Sequence, residues 1–296
     1  MSLAGDPHSA DYWRSLAPSL HIESSSVADG WTAAARSSER ELEFATQVAS
    51  EGWSSVPALL GAEECRWILD AITSLRANRW PPVFAFVFDE LWQIPARMGG
   101  LMTQILGEGF LMLPDFWAWY LDPATTDAGW RPHRDKGLNT LDEAGRPTSV
   151  TVWVALTEAT AANGCIYLLP ANRDPLYGKD FINNAVYEPQ EIRAVPAAAG
   201  TALCWSQALL HWGGRCDADA PPRVSFACEF QRGDVFPYNV PLLDPHEPPP
   251  LETRLTLISK QLLQYDHMYP LTEELAELAR ALSPPAEDHP ALSALE

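Results

Sequence analysis

Lysine is scarce in this chain. Only Lys136, Lys179 and Lys260 occur in 296 residues, and Lys and Arg together number 20 against 39 Asp and Glu. The formal net charge is −19, and no basic cluster interrupts it. That balance argues against binding to nucleic-acid backbones or anionic bilayers, since both need a cationic face. Cysteine is also sparse. Cys65, Cys165, Cys204, Cys216 and Cys228 form no CxxC pair and no zinc-type spacing. Cys165, Cys204 and Cys228 lie in apolar strand-like runs, so they read as buried free thiols of a reducing compartment. Long hydrophobic runs are missing. The longest stretch without Asp, Glu, Lys or Arg, from Ala194 to Gly214, contains Pro196, Gly200, Ser206, Gln207 and His211 and is no membrane helix. The start, MSLAGDPHSADYW, has neither a basic beginning nor an apolar core, so no signal peptide is read there. A soluble, cytoplasmic protein is expected.

What is present is an ordinary globular composition, 47% apolar and 20% charged, with twelve Trp. No internal repeat is evident. One domain over 1–296 is expected: a lead-in over 1–36, a mainly helical part over 37–114, a β core over 115–232 and an extension with a helix over 233–296. DYWRSL reads as a short helix, and Ser37–Gly52 as a longer one with Leu42, Ala45 and Val48 at helical spacing. GWSSVPALL reads as a short strand and turn. AEECRWILDAITSLRAN follows as a helix, with Glu63 and Glu64 in its first turn and Ile68, Ile72 and Leu75 on one stripe. A further helix is expected over Pro95–Leu106.

From Asp115 the period changes to two. FWAWYL (116–121), SVTVWVAL (149–156), CIYLL (165–169), TALCWS (201–206) and RVSFACEF (223–230) read as strands. LTEELAELARAL (271–282) returns to helix, ended by Pro284 and Pro285. Helices, then many short strands, then a helix predict a mainly β protein: a sandwich or jelly roll with flanking helices.

The chemistry sits on a few polar residues in the β region. In His133-Arg134-Asp135 an extended backbone points residues i and i+2 the same way, so an imidazole and a carboxylate face one point. His211 follows in LLHWGGR. Two His and one carboxylate with open positions form the facial triad of non-haem Fe(II) oxygenases. Each motif is weak alone, since an isolated His or HxD is more often structural. Twelve residues after His211, Arg223-Val224-Ser225 opens an alternating strand. Arg223 and Ser225 share a face, and a guanidinium fork with a hydroxyl suits the distal carboxylate of 2-oxoglutarate.

The ordered set HRD, VTVWVALTEATAANGCIYLLP, AAAGTALCWSQALLHWGGR and PPRVSF resembles the phytanoyl-CoA dioxygenase-like (PhyH) family of Fe(II)/2-oxoglutarate oxygenases, over roughly residues 40–232. The resemblance implies a double-stranded β-helix, or jelly-roll, core. It implies His133, Asp135 and His211 as catalytic metal ligands, and Arg223, with Ser225, as the seat of 2-oxoglutarate. Trp153 matches an aromatic near the co-substrate, and Gly164 and Gly200 match turn glycines. Fe(II), 2-oxoglutarate and O2 are the cofactors it implies, with succinate and CO2 as by-products. Related halogenases carry Ala or Gly at the carboxylate position, so Asp135 favours hydroxylation or desaturation.

Pro170-Ala171-Asn172-Arg173 departs from the family's Pro-Gly-Ser-His, so relatives' specificity does not transfer. The segment KGLNTLDEAGRPT, 136–148, reads either as a lid or as a surface loop. Trp117, Trp119, Trp130, Trp205 and Trp212 suggest an apolar substrate wall. Arg131, Arg134 and Lys136 read either as holders of an anionic substrate group or as solvated loop charges. The expected reaction is hydroxylation of a small metabolite or natural-product intermediate at an unactivated C–H, with no nucleic-acid or membrane partner. A protein or peptide hydroxylase and a non-catalytic binding module are the alternatives, and a zinc hydrolase lacks a general-base motif such as HExxH.

Overall fold

The computed structural model describes residues 5–23, 38–124, 129–136, 139–179, 186–267, 269 and 271–283. Ser37, Gly137, Pro284 and Pro285, named above, lie outside that set. Helices occupy Ala10–Leu16, Ser38–Glu51, Ala62–Ala77 and Ile94–Leu106 in the first third, with a one-turn helix at Asp89–Trp92. The Ala62–Ala77 helix begins as expected from its acidic first turn: Glu64 reaches back to the Gly61 N–H at 2.7 Å.

Among the described residues, eight strands form two sheets. The larger is antiparallel throughout, in the order β1(Trp53–Val56)–β6(Ala202–Ser206)–β3(Ser149–Ala155)–β8(Arg223–Gln231)–β2(Leu111–Leu121). The smaller is β5(Arg193–Val195)–β4(Ile166–Leu168)–β7(His211–Gly213). Strand parity divides the interior in two. On the outer face Val150, Val152, Val154, Phe226, Cys228 and Phe230 pack into one core with the helices. On the inner face Trp153, Ala155, Leu203, Trp205 and Ala227 meet Ile166, Leu168 and Val195 of the smaller sheet. β3 is buried along its whole length, because both of its faces are covered. The fold is mainly antiparallel sheet with flanking helices and a jelly-roll core.

β2 runs further back than expected, to Leu111, with a register shift between Met112 and Phe116. Pro114 lies inside the shift; lacking an N–H it cannot join the ladder, and it breaks the alternation that would have marked the strand. The three-residue strands β5 and β7 are too short to show a period. The helix Leu251–Gln264 was not among the expected elements, although Leu251, Leu255, Ile258 and Leu262 form its buried stripe. It packs against β2 and against the helix Glu273–Leu282. Gly200 has φ +83°, and an added Cβ there would lie 2.2 Å from the Leu60 carbonyl oxygen, so this turn requires glycine. Cys65, Cys165, Cys204 and Cys228 are buried free thiols. Among the described residues no helix is long and apolar enough to cross a membrane.

Candidate active site

His133 and His211 are a cross-strand pair. Each backbone N–H donates to the other's carbonyl at 3.0 Å, so the HxD segment lies as an added rung beside β7. Directly paired residues project to the same side, and the two ring centroids are 4.5 Å apart. Asp135, two residues on, joins them. His Nε2 to Asp135 Oδ1 distances are 3.3 Å from His211 and 3.7 Å from His133. One ligand atom from each of the three lies within 4.8 Å of the others, a spacing that suits one metal ion.

The surroundings select which atoms face that point. His133 Nδ1 lies 2.8 Å from the Arg131 carbonyl oxygen, and His211 Nδ1 lies 3.1 Å from that of Leu209. A carbonyl only accepts, so each Nδ1 carries the proton and each Nε2 presents its lone pair. Asp135 Oδ2 accepts from Thr151 Oγ1 at 2.7 Å and from Trp205 Nε1 at 2.9 Å. Gln207 Nε2 donates to Thr151 Oγ1 at 3.2 Å. These donors occupy Oδ2 and leave Oδ1 toward the imidazoles. Burial opposes ionisation of Asp135, but the His211 and His133 imidazoles and the bonds from His211 and Thr151 outweigh it and hold the carboxyl well below its usual range. Burial opposes the charged form of His211 too, yet Asp135 raises it; burial and His211 lower His133.

Buried charges hold the ligand segment from both sides. Arg134, between the two ligands, pairs with Asp174, and both side chains are almost wholly buried. Lys136 pairs with Glu229 at 2.6 Å and with Asp115 at 3.3 Å. Neither cation is a solvated loop charge, and Arg134 already has its carboxylate, which corrects the expectation that it could hold an anionic substrate group. Arg131 is exposed and lines the mouth.

A cavity of about 620 Å³ joins these groups. The triad, Trp153 and Arg223 line it together. Arg223 is 2% exposed, yet its Nε and Nη1 have no partner among the described residues. Its guanidinium sits 5.5 Å over the Trp153 ring, and burial lowers its pKa only to about 10, so it stays cationic at neutral pH. A buried cation with free donors matches a bound carboxylate. Ser225 is fully buried with an unpartnered hydroxyl, but it does not line the cavity. The residues present therefore fit a metal ion at the triad and a dicarboxylate reaching Arg223.

Residues 86–224 match the family model Phytanoyl-CoA dioxygenase (PhyH). The match spans just under half of the chain. No curated protein matches the chain. Among solved structures, the non-heme monooxygenase ThoJ in its apo form is 20% identical with TM-score 0.58, over 80% of this chain and 99% of its own. The epimerase SnoN, in complex with Fe3+, alpha ketoglutarate and nogalamycin RO, is 22% identical with TM-score 0.52, over 66% and 84%. HygX from Streptomyces hygroscopicus, with nickel and 2-oxoglutarate bound, is 14% identical with TM-score 0.51, over 66% and 88%. At these identities the likeness is one of fold.

Of the expected wall, Trp117, Trp119, Trp130 and Trp205 line the cavity. Trp205 is also the donor to Asp135. Trp212 does not line it; it stacks between Tyr167 and Tyr187, each 5.9 Å away. No residue of 139–148 lines the cavity. Thr140 and Thr148 are joined there by a backbone bond, and Asp142 is tied to Arg146 and Arg232. Thr151, Gln207, Glu229, Asp115 and Asp174 went unread as site residues. For Glu229 the signal was a charged residue in phase with Arg223 and Ser225 on one strand face.

Proposed function

We propose that this protein is an Fe(II)- and 2-oxoglutarate-dependent oxygenase that hydroxylates a small molecule at an unactivated C–H. One observation carries the reading: a His-Asp-His cluster with its lone pairs turned inward shares a cavity with a buried guanidinium that pairs with no carboxylate among the described residues. His133 Nε2, His211 Nε2 and Asp135 Oδ1 would hold the iron. Arg223, its guanidinium over the Trp153 ring, would bind the distal carboxylate of 2-oxoglutarate. Iron with 2-oxoglutarate and O2 supplies an oxidant for C–H bonds, with succinate and CO2 released. The protein's own part is orientation. Thr151 and Trp205 keep Asp135 turned to one oxygen, the Arg131 and Leu209 carbonyls fix both histidine tautomers, and the indoles around the cavity displace water.

A cavity of about 620 Å³ walled by indoles supports a small-molecule substrate over a peptide. The family segment and the presence of Asp135 support hydroxylation, while SnoN, an epimerase on the same fold, marks the competing outcome. Anaerobic titration of the metal-free protein with Fe(II) and 2-oxoglutarate tests the site through its weak visible charge-transfer band. The band is expected in wild type and lost in His211→Ala and Arg223→Ala. A wild-type protein that retains no metal and shows no band is a binding module instead. Hydroxylation is then checked by succinate release coupled to a product one oxygen atom heavier; succinate with an isomeric product excludes it.

A further inference from the structure

The acidic and basic groups lining the cavity can be assigned in turn until one deep group is left. His133, Asp135 and His211 face the metal position. Thr151 and Trp205 are committed to Asp135. Asp115 is saturated: Asn239 Nδ2 and Gln264 Nε2 donate to it at 2.9 Å each, beside Lys136. Arg223 faces the co-substrate, and Arg131 and His267 are exposed at the mouth. Glu229 remains.

Lys136 Nζ lies 2.6 Å from Glu229 Oε2, and that oxygen is shielded from solvent. The side chain is still 12% exposed and lines the cavity, so its open part is the part away from Lys136. Thr151 is the direct cross-strand neighbour of Glu229, and it is the residue whose hydroxyl holds Asp135. Glu229 therefore stands beside the metal position. Arg223 lies six residues back on the same strand face, about 20 Å along the backbone, so the co-substrate end is elsewhere. The rings nearest this end are Trp117 and Tyr265, which meet edge-on at 5.2 Å, while Trp119, paired with Ser225, and Trp130, against Gly213, lie toward Arg223.

We propose that Glu229 determines specificity: it accepts a hydrogen bond from an O–H or N–H donor of a flat, largely apolar substrate whose body lies on these rings. The proposal rests on the oxygenase reading of the same cavity. The bond fixes the substrate beside the metal position, and an analogue whose group at this point carries no O–H or N–H cannot form it.

The test uses four probes of one shape, 2-naphthol, 2-naphthylamine, 2-methoxynaphthalene and 2-naphthoate, titrated calorimetrically into the anaerobic Fe(II)/2-oxoglutarate-loaded protein. Naphthol, naphthylamine or both are expected to bind at least about tenfold tighter than the methoxy compound and the anion; the two donor arms separate O–H from N–H. In Glu229→Leu, where Lys136 keeps Asp115, that preference is expected to disappear. Equal binding of all four, no binding by any, or tighter naphthoate overturns the proposal, and wild type alone decides this if the variant fails to fold. Failure of the oxygenase reading is separately visible as a missing charge-transfer band; a donor preference that depends on Glu229 without that band keeps the subsite and removes the reaction.

Discussion

Two arginines in this protein are equally buried and differ in everything else. Arg254, on the helix Leu251–Gln264, is 1% exposed; Arg223, at the start of β8, is 2% exposed. Arg254 donates to the Pro249 and Val87 carbonyls and pairs with Asp89 at 2.7 Å. Arg223 leaves Nε and Nη1 without a partner. Burial of a guanidinium costs several kcal/mol unless its donors are met. In the helical layer the protein meets that cost internally. At the open end of the jelly roll it leaves the donors to something that comes and goes. A buried guanidinium with a carboxylate of its own marks architecture, and one without marks a ligand.

The largest expected effect lies outside the pair and sets its scale. Asp135→Ala is expected to abolish metal-dependent turnover and the charge-transfer band, read by succinate release and visible absorption. Wild-type-like activity in that variant would remove Asp135 from the ligand set. Next, Arg254→Met is expected to lower stability by about 3–5 kcal/mol, because buried Asp89 loses its guanidinium. Chemical denaturation measures it, and the folded fraction should still bind Fe(II) and 2-oxoglutarate. Arg223→Met should behave in the opposite way. Stability without ligand should hold or rise, while the gain from saturating 2-oxoglutarate, about 2.7 kcal/mol at a hundred times Kd in wild type, should vanish. Equal destabilisation by the two arginine variants would break the comparison.

Smaller effects concern the second layer. Trp205→Phe removes one of two donors to Asp135 Oδ2 and is expected to weaken metal affinity about tenfold with little change in fold. Arg134→Met, paired with Asp174→Leu so that no charge is orphaned, is expected to do the same through the ligand segment. Metal affinity should also depend on pH. Asp135 raises the His211 pKa in the metal-free site, although burial acts against it, and metal binding needs the neutral imidazole. Affinity is therefore expected to fall as pH drops below the His211 pKa and to level off above it. In Asp135→Asn, any residual metal binding should move that fall to lower pH.

The elements legible in advance were those with a sustained period. The helix Ala62–Ala77 and strands β3, β6 and β8 carry unbroken stripes or alternation. β2 was half hidden by Pro114, and β5 and β7 by their length of three residues. Arg134 shows the limit on the site. In the chain it is a cation beside two ligands, and only packing brings Asp174, forty residues away, against it.

By itself the amino-acid sequence determined the ligand types and their order. HxD on an extended segment aligns two donors, and alternation along β8 puts Arg223 and Glu229 on one face; both follow from local backbone geometry. Tertiary structure alone decided which oxygen of Asp135 is free, which arginine lacks a partner and where Glu229 stands relative to the metal position. Those depend on strand register between residues sixteen to seventy positions apart, such as Thr151 and Trp205 converging on Asp135, and no local pattern encodes that register.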